Sequence, residues 1–357
     1  MLTPHVAAKL RDSEHRLVVT GAGGWLGMAT LDLLSSALGD AFADRVCCFG
    51  SSRRTLKLLG GVQIEQERLD LLAALAPRPT LVLHLAFLTK DRAEAMPEEE
   101  YRNANRAIGR TVLDALGAIG AEGVFVSSSG AAAFADDPTA SPAMRLYGSL
   151  KKEDEELFAG WAEEAGKRAV ITRIFNLSGS YMNKHGSYAL ASFILDAIAG
   201  RPVEVRAEKP VIRGYVAIRE LISLVLALLL DEGLGVVRFD TGGQAMEMQV
   251  IAEAVAGVCG PVPVRRPPLG NSPADEYAGN PEAYEALLRN KGIPVVAFEQ
   301  QIAETAEFLS EIEDLGWMRQ KQRASAGVAP SVDAGIGATL TKPRSEAAGD
   351  RARNLNG

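Results

Sequence analysis

The sequence has little that would tie it to an oxidising compartment, a membrane or a nucleic acid. Its 357 residues include three cysteines, Cys47, Cys48 and Cys259. An odd count with two adjacent builds no disulfide framework, so a reducing compartment is expected. Cys47 and Cys48 fall in an apolar run and read as strand packing. Histidines number four, none at metal-ligand spacing, and no metal site is expected. His84 reads as a packed strand residue and His185 as a loop residue. Basic surplus is missing as well: the net charge of −7 argues against nonspecific binding to nucleic acid or an anionic membrane, but not against an anionic small substrate. The most hydrophobic stretch, 221–230, lies between Glu220 and Asp231 and is too short to span a bilayer. Residues 1–16 lack the continuous apolar run of a secretory signal. The expected setting is the cytoplasm.

What is present is an ordinary globular composition, 47% hydrophobic and 23% charged, with length for a large α/β domain and a smaller lobe. Apolar runs at 17–20, 46–49, 62–64, 81–85, 124–127 and 170–174 alternate with stretches of helical spacing such as 26–38, 101–119 and 146–161. Strands that are apolar throughout, separated by helices, predict a doubly wound parallel sheet of the Rossmann type, covered on both faces. Beyond Asn176 the pattern loosens. Residues 178–186 read as a loop, 188–199 and 219–230 as helices around a strand-like stretch at 202–211, and 248–258 and 298–315 as further helices. The expected division is a cofactor-binding domain over 1–175, to which 214–242 returns, and a C-terminal substrate-binding lobe from 176–213 and 243–320. A disordered tail is expected over 321–357, where no periodicity survives.

The first apolar run leads directly into Gly21-Ala-Gly-Gly24-Trp25-Leu26-Gly27 and then a helix. Glycines spaced G-x-x-G-x-x-G permit a tight turn, close backbone approach to a pyrophosphate and tight helix packing, with the phosphates at a helix N-terminus. The setting, strand before and helix after, makes this a dinucleotide signal. After the second strand an NAD-preferring site would carry an acid for the ribose 2′-hydroxyl. This chain has Gly50-Ser51-Ser52-Arg53-Arg54. Hydroxyls and guanidinium groups suit a 2′-phosphate, so NADP is expected over NAD, with Arg53, nearer the strand end, as the main contact.

Tyr147 and Lys151, four apart on a helical run, share one helix face. A neighbouring ammonium stabilises a phenolate and draws a tyrosine toward acid–base work near neutral pH. The run Ser127-Ser128-Ser129 ends a strand on the side where such sheets bind ligands, and Ser128 or Ser129 can hydrogen-bond a substrate oxygen as charge develops on it.

With these motifs the chain resembles an extended short-chain dehydrogenase/reductase, the NAD(P)-dependent epimerase/dehydratase family, over roughly residues 16–320. Further matching pieces are Asp70-Leu71, His84-Leu85-Ala86, Asn105, Arg173-x-Phe175-Asn176-x-x-Gly179 and Arg213-x-Tyr215. The resemblance implies Asp70 and Leu71 at the adenine, and Leu85, Ala86 and Asn105 at the cofactor beside Gly21, Gly24, Trp25, Leu26 and Gly27. It implies Asn176 beside a nucleotide-sugar substrate and Arg213 on its diphosphate. It also implies a homodimer through the helices of Asn105 and Tyr147, in which Leu150, Leu157, Phe158 and Trp161 serve as core or as interface. The chain departs from the 4,6-dehydratases, which have Asp-Glu after the active-site hydroxyl residue where this one has Gly130-Ala131. Phe134-Ala135, Gly179-Ser180 and Gly214 are further departures around the substrate. The leading reading is an oxidoreductase or epimerase acting on a nucleotide-linked hexose or its 4-keto form, with a Ser-Tyr-Lys triad. The alternatives are an NADPH-dependent reductase of a non-sugar carbonyl, and a cofactor-sensing protein, which would typically have lost the Tyr–Lys pair.

Overall fold

The computed structural model describes the backbone of residues 1–325 and the side-chain surroundings of residues 1–312. Met1–Ile312 forms one compact unit. Strands in chain order are β1 (Arg16–Thr20), β2 (Val46–Gly50), β3 (Arg54–Lys57), β4 (Gln63–Arg68), β5 (Thr80–His84), β6 (Ala121–Ser129), β7 (Arg168–Ile174), β8 (Asn176–Ser178), β9 (Val203–Glu204), β10 (Val211–Ala217), β11 (Val236–Asp240), β12 (Ala245–Glu247), β13 (Val264–Arg265) and β14 (Asp275–Tyr277). Helices are α1 (Pro4–Asp12), α2 (Trp25–Leu38), α3 (Phe42–Arg45), α4 (Lys90–Ala95), α5 (Glu98–Ala118), α6 (Pro142–Ala165), α7 (Ala189–Ile198), α8 (Ile218–Leu229), α9 (Met248–Cys259), α10 (Pro281–Asn290) and α11 (Phe298–Ser325).

Eight strands form the main sheet in the order β11-β7-β6-β5-β1-β2-β4-β3, parallel except for the edge pair β3–β4. The fold is therefore the expected doubly wound α/β architecture. Its central strands are apolar throughout because alternate side chains feed two different cores. Leu17, Val19, Leu81, Leu83 and Phe125 pack with α1, α2 and α8. Val18, Val82, Val124 and Val126 pack on the other face with α5 and α6. The order reverses between β1 and β5, and such a switch point opens a crevice at the strands' carboxyl ends.

A separate apolar cluster joins α7, α9 and the start of α11 with β9 and β10, drawing on residues between Met182 and Leu309. Here β10 pairs with β8, β12 and β14. The strand expected over 202–211 is broken instead into β9 and the start of β10. Helices α1 and α10 and the short strands β3, β12, β13 and β14 had no clear signal; α10 packs Tyr284 and Leu288 onto the main-sheet core. Helix α11 extends to Ser325, so residues 321–325 of the expected tail are helical, and 326–357 lie outside the described residues. Among the described residues no helix is long and apolar enough to cross a membrane.

Candidate active site

A cleft of about 990 Å³ opens at the carboxyl ends of the central strands. At its floor the chain leaves β1 and turns at Gly21, whose φ is 66°. Helix α2 starts at Trp25 after Gly24, which offers no capping side chain, so its first-turn N–H groups remain available. A Cβ at Gly27 would come within 2.4 Å of the Gly21 carbonyl oxygen, so only glycine lets α2 sit this close to the turn. Gly21, Gly24, Trp25, Leu26 and Gly27 all line the cleft. This donor set fits a pyrophosphate, and the residues present fit a dinucleotide.

At the far end of that crevice Ser51, Arg54, Arg68 and Asp70 line the wall. The Arg54 guanidinium lies over the glycine loop: a Cβ on Gly23 would come within 1.7 Å of its Nη2. The expectation for Arg53 requires correction. The chain turns into β3 at once, and Arg53 leans outward with its side chain 70% exposed and paired to Glu67 at 3.3 Å. Ser52 also lies off the cleft lining, its carbonyl accepting a bond from Gln66 Nε2 at 2.7 Å. Arg68, unforeseen in the sequence, grips Asp70 at 2.6 Å. Leu71 points into solvent rather than the cleft, which Leu69 lines in its place. Leu85 and Ala86 line it; Asn105 does not. Asn105 is buried, accepting from Leu88 N at 2.8 Å and donating to the Tyr101 carbonyl, so it holds the segment after β5 from behind.

Helix α6 carries Tyr147 and Lys151 into the cleft, its start capped by Ser141, which accepts from Met144 N at 3.2 Å. The intervening Gly148 is what lets α6 reach the turn after β6, since a Cβ there would lie 2.1 Å from the Ala131 carbonyl oxygen. Lys151 is buried, donates to the Ser127 carbonyl at 2.6 Å and sits 3.7 Å from the centre of the Phe87 ring. Burial lowers its pKa to about 8, against the opposing pull of Asp154 and Glu155. Burial pushes the Tyr147 phenol above its ordinary value, with Tyr277 adding to the rise and a hydrogen bond to Ser129 working the other way. Without a further positive charge Tyr147 stays protonated.

Both candidate serines line the cleft, and as neighbours on β6 their side chains alternate across the sheet. Ser128 has the parity of Val124 and Val126, which face α5 and α6, and its hydroxyl donates to Glu155, itself clamped by Arg173 at 2.8 and 2.9 Å. Ser129 accepts from Ala131 N at 3.2 Å and meets the Tyr277 hydroxyl at 3.2 Å.

On the substrate side, Asn176 lines the cleft and donates to the Gly214 and Tyr277 carbonyls, both at 3.1 Å. Arg213 is a second correction. It lies off the cleft lining, donates to the Asp275 carbonyl at 2.8 Å and pairs with the Asp275 carboxylate at 3.1 Å. Its partner comes from β14, a strand the sequence did not reveal. Tyr277, Phe175 and Phe87 form aromatic walls whose role the sequence did not reveal; its signals were Phe175 within Arg173-x-Phe175-Asn176 and Phe87 following the matched His84-Leu85-Ala86. Among the described residues no group of three or more His, Cys, Asp or Glu could hold a metal ion.

Three comparisons bear on this site. No curated protein sequence matches the chain. Solved structures match its fold. A UDP-N-acetylglucosamine 4-epimerase from Methanobrevibacter ruminantium, in complex with UDP-N-acetylmuramic acid, is 18% identical with a TM-score of 0.64, covering 84% of this chain and 99% of that one. A UDP-glucose 4-epimerase from Thermus thermophilus, in complex with NAD, is 21% identical with a TM-score of 0.59 over 83% and 99% of the two chains. A dTDP-glucose 4,6-dehydratase from Streptomyces venezuelae with NAD bound is 18% identical with a TM-score of 0.59 over 85% and 98%. The sequence profile of the NAD dependent epimerase/dehydratase family matches residues 17–236, more than half of the chain. The chain therefore belongs to the NAD-dependent epimerase/dehydratase family, the extended short-chain dehydrogenase/reductases.

Proposed function

We propose that the protein interconverts a hydroxyl and a keto group on a nucleotide-linked hexose, through Ser129, Tyr147 and Lys151. The observation that carries this reading is that these three side chains line the same cleft as the glycine loop. A nicotinamide bound in the cleft would supply or accept the hydride, and its oxidised form would carry positive charge. Tyr147 gives or takes the hydroxyl proton, Lys151 stabilises its phenolate, and Ser129 donates to the substrate oxygen as charge develops. Ser128, bound to Glu155, serves to orient α6 on β6. Elimination of the dehydratase kind is disfavoured. Gly130-Ala131 supply neither acid nor base after Ser129, and a Cβ at Gly130 would lie 2.5 Å from the Phe175 ring, which would have to move to admit a side chain there.

We assign NADP as the preferred cofactor, with Arg54 rather than Arg53 as the 2′-phosphate contact and Arg68 beside it. A reductase releases its cofactor between turnovers, and the NADP-like wall favours that class over an epimerase. Reduction of a non-sugar carbonyl is the second reading, favoured by the commitment of Arg213 to Asp275 and by the aromatic wall of Phe175 and Tyr277. Mixing cofactor-loaded protein with a panel of UDP- and dTDP-hexoses and their 4-keto forms separates the readings. A change in reduced-nicotinamide absorbance with one of them supports the nucleotide-sugar assignment, and a response to simple ketones alone overturns it.

The assembly proposed is a homodimer through α5 and α6. Leu150 and Phe158 are buried in the protomer, while Leu157 and Trp161 remain partly exposed and available to a second copy. Light scattering at micromolar concentration should give twice the chain mass of 38.0 kDa, and the single-chain mass would contradict the dimer.

A further inference from the structure

We infer that Tyr277 is a positioning residue for the active-site serine, fixing Ser129 as a hydrogen-bond donor. Serine has one proton and two lone pairs. One lone pair of Ser129 Oγ accepts from Ala131 N at 3.2 Å, and the Tyr277 hydroxyl lies 3.2 Å away on another side. With Tyr277 donating, both lone pairs are filled and the serine proton is left to point away from Ala131 and Tyr277, toward Tyr147 or a substrate oxygen. A chain of hydrogen bonds running one way also polarises its last donor.

The surroundings of Tyr277 are built to hold that geometry. Its ring packs against Phe134 at 6.0 Å and Phe175 at 4.8 Å between centroids. Its carbonyl accepts from Asn176, and its strand β14 is pinned two residues earlier, where Asp275 meets Arg213. Asn176 and Arg213 thus both brace the strand that carries the phenol. Burial raises the Tyr277 pKa, which keeps the phenol neutral and able to donate. The tyrosine thus comes from a strand 148 residues along the chain from the serine it positions.

The kinetic part of the inference rests on the hydride-transfer reading above; the structural part does not. Tyr277→Phe keeps the ring and removes only the hydroxyl. Loss of one neutral hydrogen bond should lower kcat about tenfold or somewhat less, with KM and cofactor affinity nearly unchanged. Because Tyr277 acts through Ser129, the double variant Ser129→Ala with Tyr277→Phe should be no slower than Ser129→Ala alone. A purely structural role would make the two losses multiply, and that outcome, or an unchanged kcat in Tyr277→Phe, overturns the inference. If no substrate turns over, the crystal structure of Tyr277→Phe decides. Ser129 should then leave its wild-type rotamer or spread over several, and a single unchanged rotamer refutes the positioning role.

Discussion

Tyr147→Phe should lose turnover by about 10²- to 10⁴-fold while binding cofactor as tightly as wild type, since only the proton-transferring oxygen is removed. Burial holds that phenol above its ordinary pKa, so the proton it exchanges sits on this one oxygen. Lys151→Ala should damage both turnover and cofactor binding. Its ammonium lies buried between the Ser127 carbonyl and the Phe87 ring, on the wall shared by Tyr147 and the glycine loop. Turnover assays paired with fluorescence titration of the cofactor check both statements. Near wild-type turnover by Tyr147→Phe would end the acid–base assignment.

Arg54→Ala should weaken NADPH by about ten- to a hundredfold, the value of one charge-assisted bond of about 1.5–3 kcal/mol to a phosphate. NADH, which lacks the 2′-phosphate, should bind Arg54→Ala as it binds wild type. Arg53→Ala should change neither, because Arg53 is exposed and paired with Glu67, and such a surface pair adds little. Titration of both cofactors against the three proteins decides this. Equal or tighter binding of NADH by wild type would contradict the NADP assignment.

The contrast between the two arginines shows where the sequence could be read and where it could not. The glycine loop and the Tyr147–Lys151 pair are local patterns, in which a turn or one helical repeat sets the geometry whatever lies far away. The main sheet was legible for a related reason, since strands such as β1 and β5 are buried on both faces and their apolar runs stand out. Edge strands carry no such run. Strand β4, Gln-Ile-Glu-Gln-Glu-Arg, is polar beyond the short run at 62–64, and its edge partner β3 begins at Arg54 itself. That unseen hairpin turns Arg53 outward and Arg54 over Gly23. The choice between Ser128 and Ser129 was equally closed to the sequence, because it depends on which face of β6 meets α6. Arg213 and Tyr277 depend on β14, three residues long and set by pairing with β10. No periodicity marks so short a strand, and its partners lie far away along the chain.

Hydride transfer between a nicotinamide and a substrate carbon is the chemistry proposed for this cleft. Incubation with NADPH carrying deuterium at the transferable C4 position, followed by mass spectrometry of a 4-keto nucleotide sugar, tests it most directly. One deuterium is expected on the product carbon with wild type and almost none with Tyr147→Phe. Product formed by wild type without deuterium, or no product while NADPH is demonstrably bound, would contradict it.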